Sequence, residues 1–221
     1  MNNLNKFYFC LLISFCFITS RPLFAQEQEA SGENGLTAKF GIKGGVNFSN
    51  LYIDNVQKEN VKIGMNAGFF AKVPIIRGIS IQPELLYSNK GARDRYSNSI
   101  QGSGEYRFNL NYVETPVLLV FNLTRNLNFS GGGYAAYLVS ANVKDVNNDG
   151  TITGVTNLNA DHFRRFDYGL VAGLGVDIQY ITFGVRYNYG LRNVGLPGSL
   201  SGDLTVNSKN SVATFYIGFA F

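Results

Sequence analysis

From Phe40 onward, apolar residues return at every second position in successive stretches of the chain. A strand turns alternate side chains to opposite faces, so this period predicts strands with one apolar and one polar face. In the first stretch, Phe40, Ile42, Gly44, Val46 and Phe48 share one face, while Lys39, Lys43 and Asn47 share the other. The second sets Ile63, Met65, Ala67, Phe69, Ala71 and Val73 against Lys62, Asn66 and Lys72. The third sets Ile79, Ile81, Pro83, Leu85 and Tyr87 against Gln82, Glu84 and Ser88. In the fifth, Leu127, Phe129, Ala135, Tyr137 and Val139 oppose Asn128, Ser130, Tyr134 and Ser140. The sixth opposes Phe166, Tyr168, Leu170, Ala172, Leu174 and Val176 to Asp167 and Asp177. The seventh opposes Ile181, Phe183, Val185, Tyr187 and Tyr189 to Thr182, Arg186 and Asn188, and the eighth carries Ala213, Phe215, Ile217, Phe219 and Phe221 on one face.

The fourth stretch, from Tyr106 to Phe121, changes phase. Phe108, Leu110 and Tyr112 share one parity, and Val113, Thr115, Val117, Leu119 and Phe121 the other. One extra residue near Tyr112 and Val113 would restore a single apolar face, which predicts a β-bulge, with Pro116 tolerated beside it.

The connections alternate between short and long. About five residues or fewer separate stretches two and three, four and five, and six and seven; the other connections are longer. That alternation, with apolar faces too extensive for water, predicts an all-β fold: an eight-stranded antiparallel up-and-down transmembrane β-barrel with short periplasmic turns and longer external loops. A soluble barrel of the same size would place its apolar groups inside around a ligand. Here the second face holds Lys, Glu, Asp, Arg and Asn, which suits the reverse arrangement. Tyr and Phe near the strand ends fit interfacial girdles.

The N-terminal residues add an address. Lys6 precedes an apolar run from Phe7 to Thr19, and Ala25 ends a small-residue exit. A run this short falls below the roughly 20 residues a spanning helix needs, so residues 1–25 read as a signal peptide cleaved after Ala25. Residues 26–36 then form a short periplasmic tail and residues 37–221 the barrel. Both cysteines, Cys10 and Cys16, lie in the leader, so no disulfide is expected in the mature chain. Loss of Lys6 and Arg21 lowers the net charge from +4 to +2, too small an excess of base for a nucleic-acid partner.

Three segments carry a more specific likeness: Phe40-Gly-Ile-Lys-Gly-Gly-Val-Asn-Phe48, Ile81-Gln-Pro-Glu-Leu-Leu-Tyr-Ser-Asn-Lys-Gly91 and Asn111-Tyr-Val-Glu-Thr-Pro-Val-Leu-Leu119. With the last strand they cover most of the expected barrel. In them the chain resembles the PorT-like outer-membrane β-barrel proteins of the Bacteroidetes. The resemblance implies an eight-stranded barrel in the outer membrane. The founding member assists a gliding and protein-secretion machinery, and most relatives have no assigned activity. The resemblance therefore implies a location more than a job.

Few residues suggest chemistry. Lys43, Glu84, Glu114 and Arg186 fall at comparable heights on the polar face, counted from the short-turn ends. They read either as a conducting or binding site or as an interior charge layer that fills the barrel. Eight strands leave an interior just wide enough for side chains, which favours filling. Two Glu could serve acid–base chemistry, but no nucleophile or oxyanion donor accompanies them, and no enzyme is expected. Asp145, Asn147 and Asp149 occupy positions 1, 3 and 5 of an EF-hand-like loop with Gly150 at position 6. Thr156 stands where a bidentate Glu belongs, and Asn-Asp-Gly is also an ordinary turn, so calcium is a weak candidate and no cofactor is expected. His162, with Ser140 as the nearest inward serine, is the remaining enzymatic pairing for a lipid-modifying barrel. Arg93, Arg95 and Arg107 lie in or beside the second external loop, where anionic lipid phosphates or solvent would meet them. The partners expected are outer-membrane lipid and lipopolysaccharide, and the barrel-assembly machinery reading the C-terminal strand that ends at Phe221. An envelope or secretion complex completes the expectation.

Overall fold

The computed structural model describes residues 36–53, 61–98, 102–147, 152–158, 164–195 and 208–221. The strands are β1 (Lys39–Ile53), β2 (Lys62–Ile76), β3 (Ile79–Asn98), β4 (Gly102–Asn122), β5 (Leu127–Asn147), β6 (Ile152–Leu158), β7 (Phe166–Ile178), β8 (Ile181–Asn193) and β9 (Ser208–Ala220). Neighbours in the ring pair antiparallel, and β1 pairs with β9, Val46 opposite Phe215, to close it. β6 stands outside the ring. The first half of β5 pairs with β7, and its second half, from Ala141 to Val146, pairs with β6. The closed barrel therefore has eight strands, and closure gives each strand a hydrogen-bonding neighbour on both sides, as a bilayer requires.

Burial is inverted relative to a soluble protein. Met65, Phe69 and Phe215 are 72%, 65% and 58% exposed, whereas Lys43, Glu84 and Arg186 are each 6% exposed. Only an apolar surround makes that distribution stable, because charges need partners inside and hydrocarbon outside covers the rest. Tyr137 packs edge-on against Phe166 and Phe48 against Phe215 towards the long-loop end of this belt.

The phase change expected in the fourth stretch is corrected. β4 keeps one parity throughout: Leu110, Tyr112, Glu114, Leu118 and Val120 are all buried inside. The irregularity lies on the neighbouring strand. Asn111 pairs with Ser140 but Tyr112 pairs with Leu138, so Val139 is the extra residue and β5 carries the bulge. Val139 and Ser140 consequently both face outward, and Ala141 resumes the interior. The physical reason is that the interior accepts an apolar lobe, where Leu110, Tyr112, Leu118, Tyr134, Leu138 and Val171 cluster. Pro116 needs no bulge. β3 and β4 keep one register, with Pro83 opposite Val117 and Leu86 opposite Glu114, and the ladder is unpaired between those positions, beside both prolines.

Two connections are also shorter than the alternation implies. β3, β4 and β5 run 20, 21 and 21 residues, against 13 to 15 for the other ring strands. Residues expected in external loops are thus strand, and β3 to β6 make a wall that rises past the lipid belt on one side. At the other end, Arg77 and Gly78 turn β2 into β3, and Gln179 and Tyr180 turn β7 into β8. Gln179 sits at φ 54°, a left-handed conformation in which a side chain is strained. Gln179→Gly is expected to stabilise the refolded barrel by up to about 1 kcal/mol, the relieved strain less glycine's extra chain entropy. A urea midpoint that stays put or falls would show that this turn carries no such strain.

Candidate functional site

The inward positions of β1, β3, β8 and β9 converge on Glu84. Its carboxylate takes the Arg186 guanidinium in two parallel bonds, Nη1 to Oε2 and Nη2 to Oε1, each 2.8 Å. Lys43 Nζ donates to Oε1 at 3.1 Å, and Gln82 Nε2 donates to the same oxygen at 2.7 Å. The paired fork is the geometry in which Arg and carboxylate interact most strongly. Tyr216 closes the cluster from β9. Lys43 Nζ lies 3.8 Å from its ring centroid and the Arg186 guanidinium carbon 5.2 Å. Gly184 on β8 makes room for this ring, since a Cβ there would collide with Tyr216.

Glu114 belongs to a second cluster nearer the long-loop end. Lys90 Nζ stands 2.5 Å from its Oε2, and Asn188 Nδ2 donates to Oε1 at 2.7 Å. Lys90 also sits 4.5 Å from the Tyr134 ring centroid. Tyr134 in turn donates its hydroxyl to Asp167 Oδ2 at 3.0 Å, and Asn210 Nδ2 donates to the same oxygen at 2.8 Å. At the short-turn mouth, Lys72 pairs with Asp177 across the barrel at 3.1 Å. Thr182 and Asn128 donate to that carboxylate as well.

The four sequence candidates are therefore all inside, but they are not one layer. Lys43, Glu84 and Arg186 meet; Glu114 is held apart by Lys90 and Asn188. Lys90 gives no signal in the sequence because the apolar alternation of the third stretch stops at Ser88, and Tyr216 gives none because an aromatic on a polar face carries no charge. Space between the two clusters shrinks to about 10 Å³, roughly the volume that admits one water. About 70 Å³ remains at the short-turn mouth, lined by Lys39, Lys72, Asp177 and Thr182 among others.

The other candidates separate. Ser140 faces outward, where its Oγ accepts from Asn111 Nδ2 at 2.8 Å, so it is no inward nucleophile. The bulge at Val139 is what reverses it. His162 lies outside the described residues. Asp145 and Asn147 belong to β5, with Asp145 opposite Gly154 on β6, while Asp149 lies outside the described residues. An extended strand through the first three positions of the motif replaces the coiled loop that wraps a cation. Among the described residues no cluster of His, Cys, Asp and Glu fits a metal ion. Arg93 and Arg107 stand opposite each other on β3 and β4 rather than in a loop, and Arg95 pairs there through its backbone with Glu105. The leader and its cleavage position lie outside the described residues too.

No curated protein matches the sequence. Among solved structures, the chain is similar to Ail, the attachment invasion locus protein of Yersinia pestis, crystallised with the heparin analogue sucrose octasulfate. The identity is 14%, over 83% of this chain and 99% of that one, with a TM-score of 0.46. It is similar to Neisserial surface protein A at 11% identity, over 82% and 97% of the two chains, with a TM-score of 0.47. For the N-terminal β-barrel domain of Pseudomonas aeruginosa OprF the values are 13%, 83%, 97% and 0.32. Residues 24–195 match the sequence profile of the outer membrane protein beta-barrel domain. The closed ring, the apolar exterior, the charged interior and that match together place the protein in the outer membrane, as a member of the outer membrane protein beta-barrel domain family.

Proposed function

We propose that this protein is a closed, non-catalytic barrel with a structural or interaction role in the cell envelope, exported by a leader cleaved after Ala25. The observation that carries the reading is the arrangement around Glu84 and Glu114. Two buried carboxylates, each held by a cation and an amide donor, bridge β1, β3, β4 and β8 across the lumen. Little space is left beside them for a solute. Moving Lys43 or Arg186 aside would strand a charge in a low-dielectric interior, a cost of several kcal/mol that opposes spontaneous opening.

The wall formed by β3 to β6 is the part of the barrel best placed to meet a partner, because its strands continue beyond the lipid belt. The PorT-like resemblance supports a place beside an envelope or secretion complex. The C-terminal strand, with Phe215, Ile217 and Phe219 exposed on its outer face, suits recognition by the barrel-assembly machinery.

Planar-bilayer recording tests the closed interior. The refolded wild-type barrel is expected to give no stable current. A variant with Lys43→Ala, Glu84→Ala and Arg186→Ala together is expected to pass small ions. Steady unit conductance from the wild-type protein would replace this reading with a small-solute pore.

A further inference from the structure

One part of the lipid-facing surface is hollow. Gly44 on β1 lies opposite Ala67 on β2 and Ile217 on β9, so two adjacent outward positions offer almost no side chain. A groove of about 700 Å³ runs over them, with Met65 and Tyr87 on one side and Phe183 and Phe215 on the other. A second hollow of about 510 Å³, edged by Ile42, Phe69 and Phe219, continues it towards the short-turn end. Both share Gly44, Ala67 and Ile217 as lining.

The upper end of the groove reaches Asn89. There the outer face of the wall turns polar. Asn89 Nδ2 donates to Asn111 at 2.6 Å, Asn111 donates to Ser140, and Asn109 Nδ2 donates to Asn142 at 3.0 Å. Above these pairs on the same face, Arg93 stands opposite Arg107, and Arg107 opposite Lys144. Three successive strands thus bring a cation to one rung of the sheet. Asn89 and Arg93 are four residues apart, about 13 Å along the strand.

We propose that this surface is a binding site for one outer-leaflet phosphoglycolipid. Its acyl chain fills the groove over Gly44 and Ala67, its sugars meet the amide rows, and its phosphates meet Arg93, Arg107 and Lys144. The apolar floor, polar rows and cationic rung follow in the order in which such a lipid presents chain, sugar and phosphate. Several cations along one rung also suit a multiply charged headgroup better than a single phosphodiester. The inference rests on the outer-membrane placement and not on a closed interior.

The test uses the refolded mature barrel in zwitterionic micelles, with lipid bound read by native mass spectrometry. The probes are bisphosphorylated lipid A, its dephosphorylated form and dioleoylphosphatidylglycerol. Gly44→Leu fills the groove, and a Cβ at Gly44 meets nothing closer than 3.5 Å, so the side chain fits. Arg93→Gln, Arg107→Gln and Lys144→Gln together discharge the rung, with Arg107→Gln alone used if the triple variant does not refold. The expected result is one lipid A per wild-type barrel, with affinity reduced at least tenfold by dephosphorylation, by Gly44→Leu and by loss of the cations. Wild-type affinity in Gly44→Leu overturns the groove, and wild-type affinity in the Gln variant overturns the headgroup site. Equal binding of dioleoylphosphatidylglycerol overturns the choice of ligand.

Discussion

Glu84→Gln is expected to lower the unfolding free energy of the refolded barrel by about 3–5 kcal/mol, the scale for breaking a buried ion pair by removing one partner. The substitution keeps shape and volume but leaves Lys43 and Arg186 facing each other with no carboxylate between them. Their side chains are 2% and 4% exposed, so water cannot take over. Arg186→Met should cost less, because Lys43 stays within 3.1 Å of Glu84 and keeps the carboxylate paired. Combining Glu84→Gln with Arg186→Met should recover much of the first loss, since one lone cation over the Tyr216 ring replaces two in mutual repulsion. Glu114→Gln should add to Glu84→Gln nearly independently, because the two carboxylates have different partners. Urea unfolding followed by the mobility shift of the folded barrel measures all four. A Glu84→Gln loss below about 1 kcal/mol would mean that the lumen is hydrated there and that the cluster is no plug.

Leu174→Arg and Val185→Arg are expected to destabilise insertion by roughly 2–4 kcal/mol, the cost of Arg near the hydrocarbon midplane on a barrel's lipid face. The two residues are opposite each other on β7 and β8, 48% and 42% exposed to what is hydrocarbon in the membrane. Thr182→Arg gives the contrast. Its side chain points into the short-turn mouth beside Asp177, where a new cation meets an existing anion, and folding should be close to normal. Asn188→Arg is not a neutral inward control. Asn188 is 5% exposed and donates to Glu114, so a larger cation there has no room. Folding yield into lipid vesicles separates these outcomes. Equal yields for Leu174→Arg and Thr182→Arg would show that the inside and outside faces are assigned wrongly.

The period-two pattern was enough to determine which face of most strands meets lipid. Each rung repeats the same test, and an error of one residue would send every charge into hydrocarbon. The eight strands of the ring and the inward direction of Lys43, Glu84, Glu114 and Arg186 follow from the same local fact, whereas the long connection expected between the third and fourth strands is largely strand. The pattern misled where the interior stopped being polar. Leu110 and Tyr112 look lipid-facing by composition, yet they fill an apolar lobe inside, and only their contacts with Leu138 and Val171 reveal it.

What the tertiary structure alone decided is which charges meet. Arg186 reaches Glu84 across 102 residues of sequence, and Asn188, two positions further along the same strand, reaches Glu114 across 74. The shear of the closed barrel sets those heights, and shear depends on every strand's register at once. The same closure chose Lys90 for Glu114, moved the bulge from β4 to β5, and carried β3 to β5 past the bilayer. Alternation is a property of each strand by itself, so the sequence determines it; partnership across a lumen belongs to the ring.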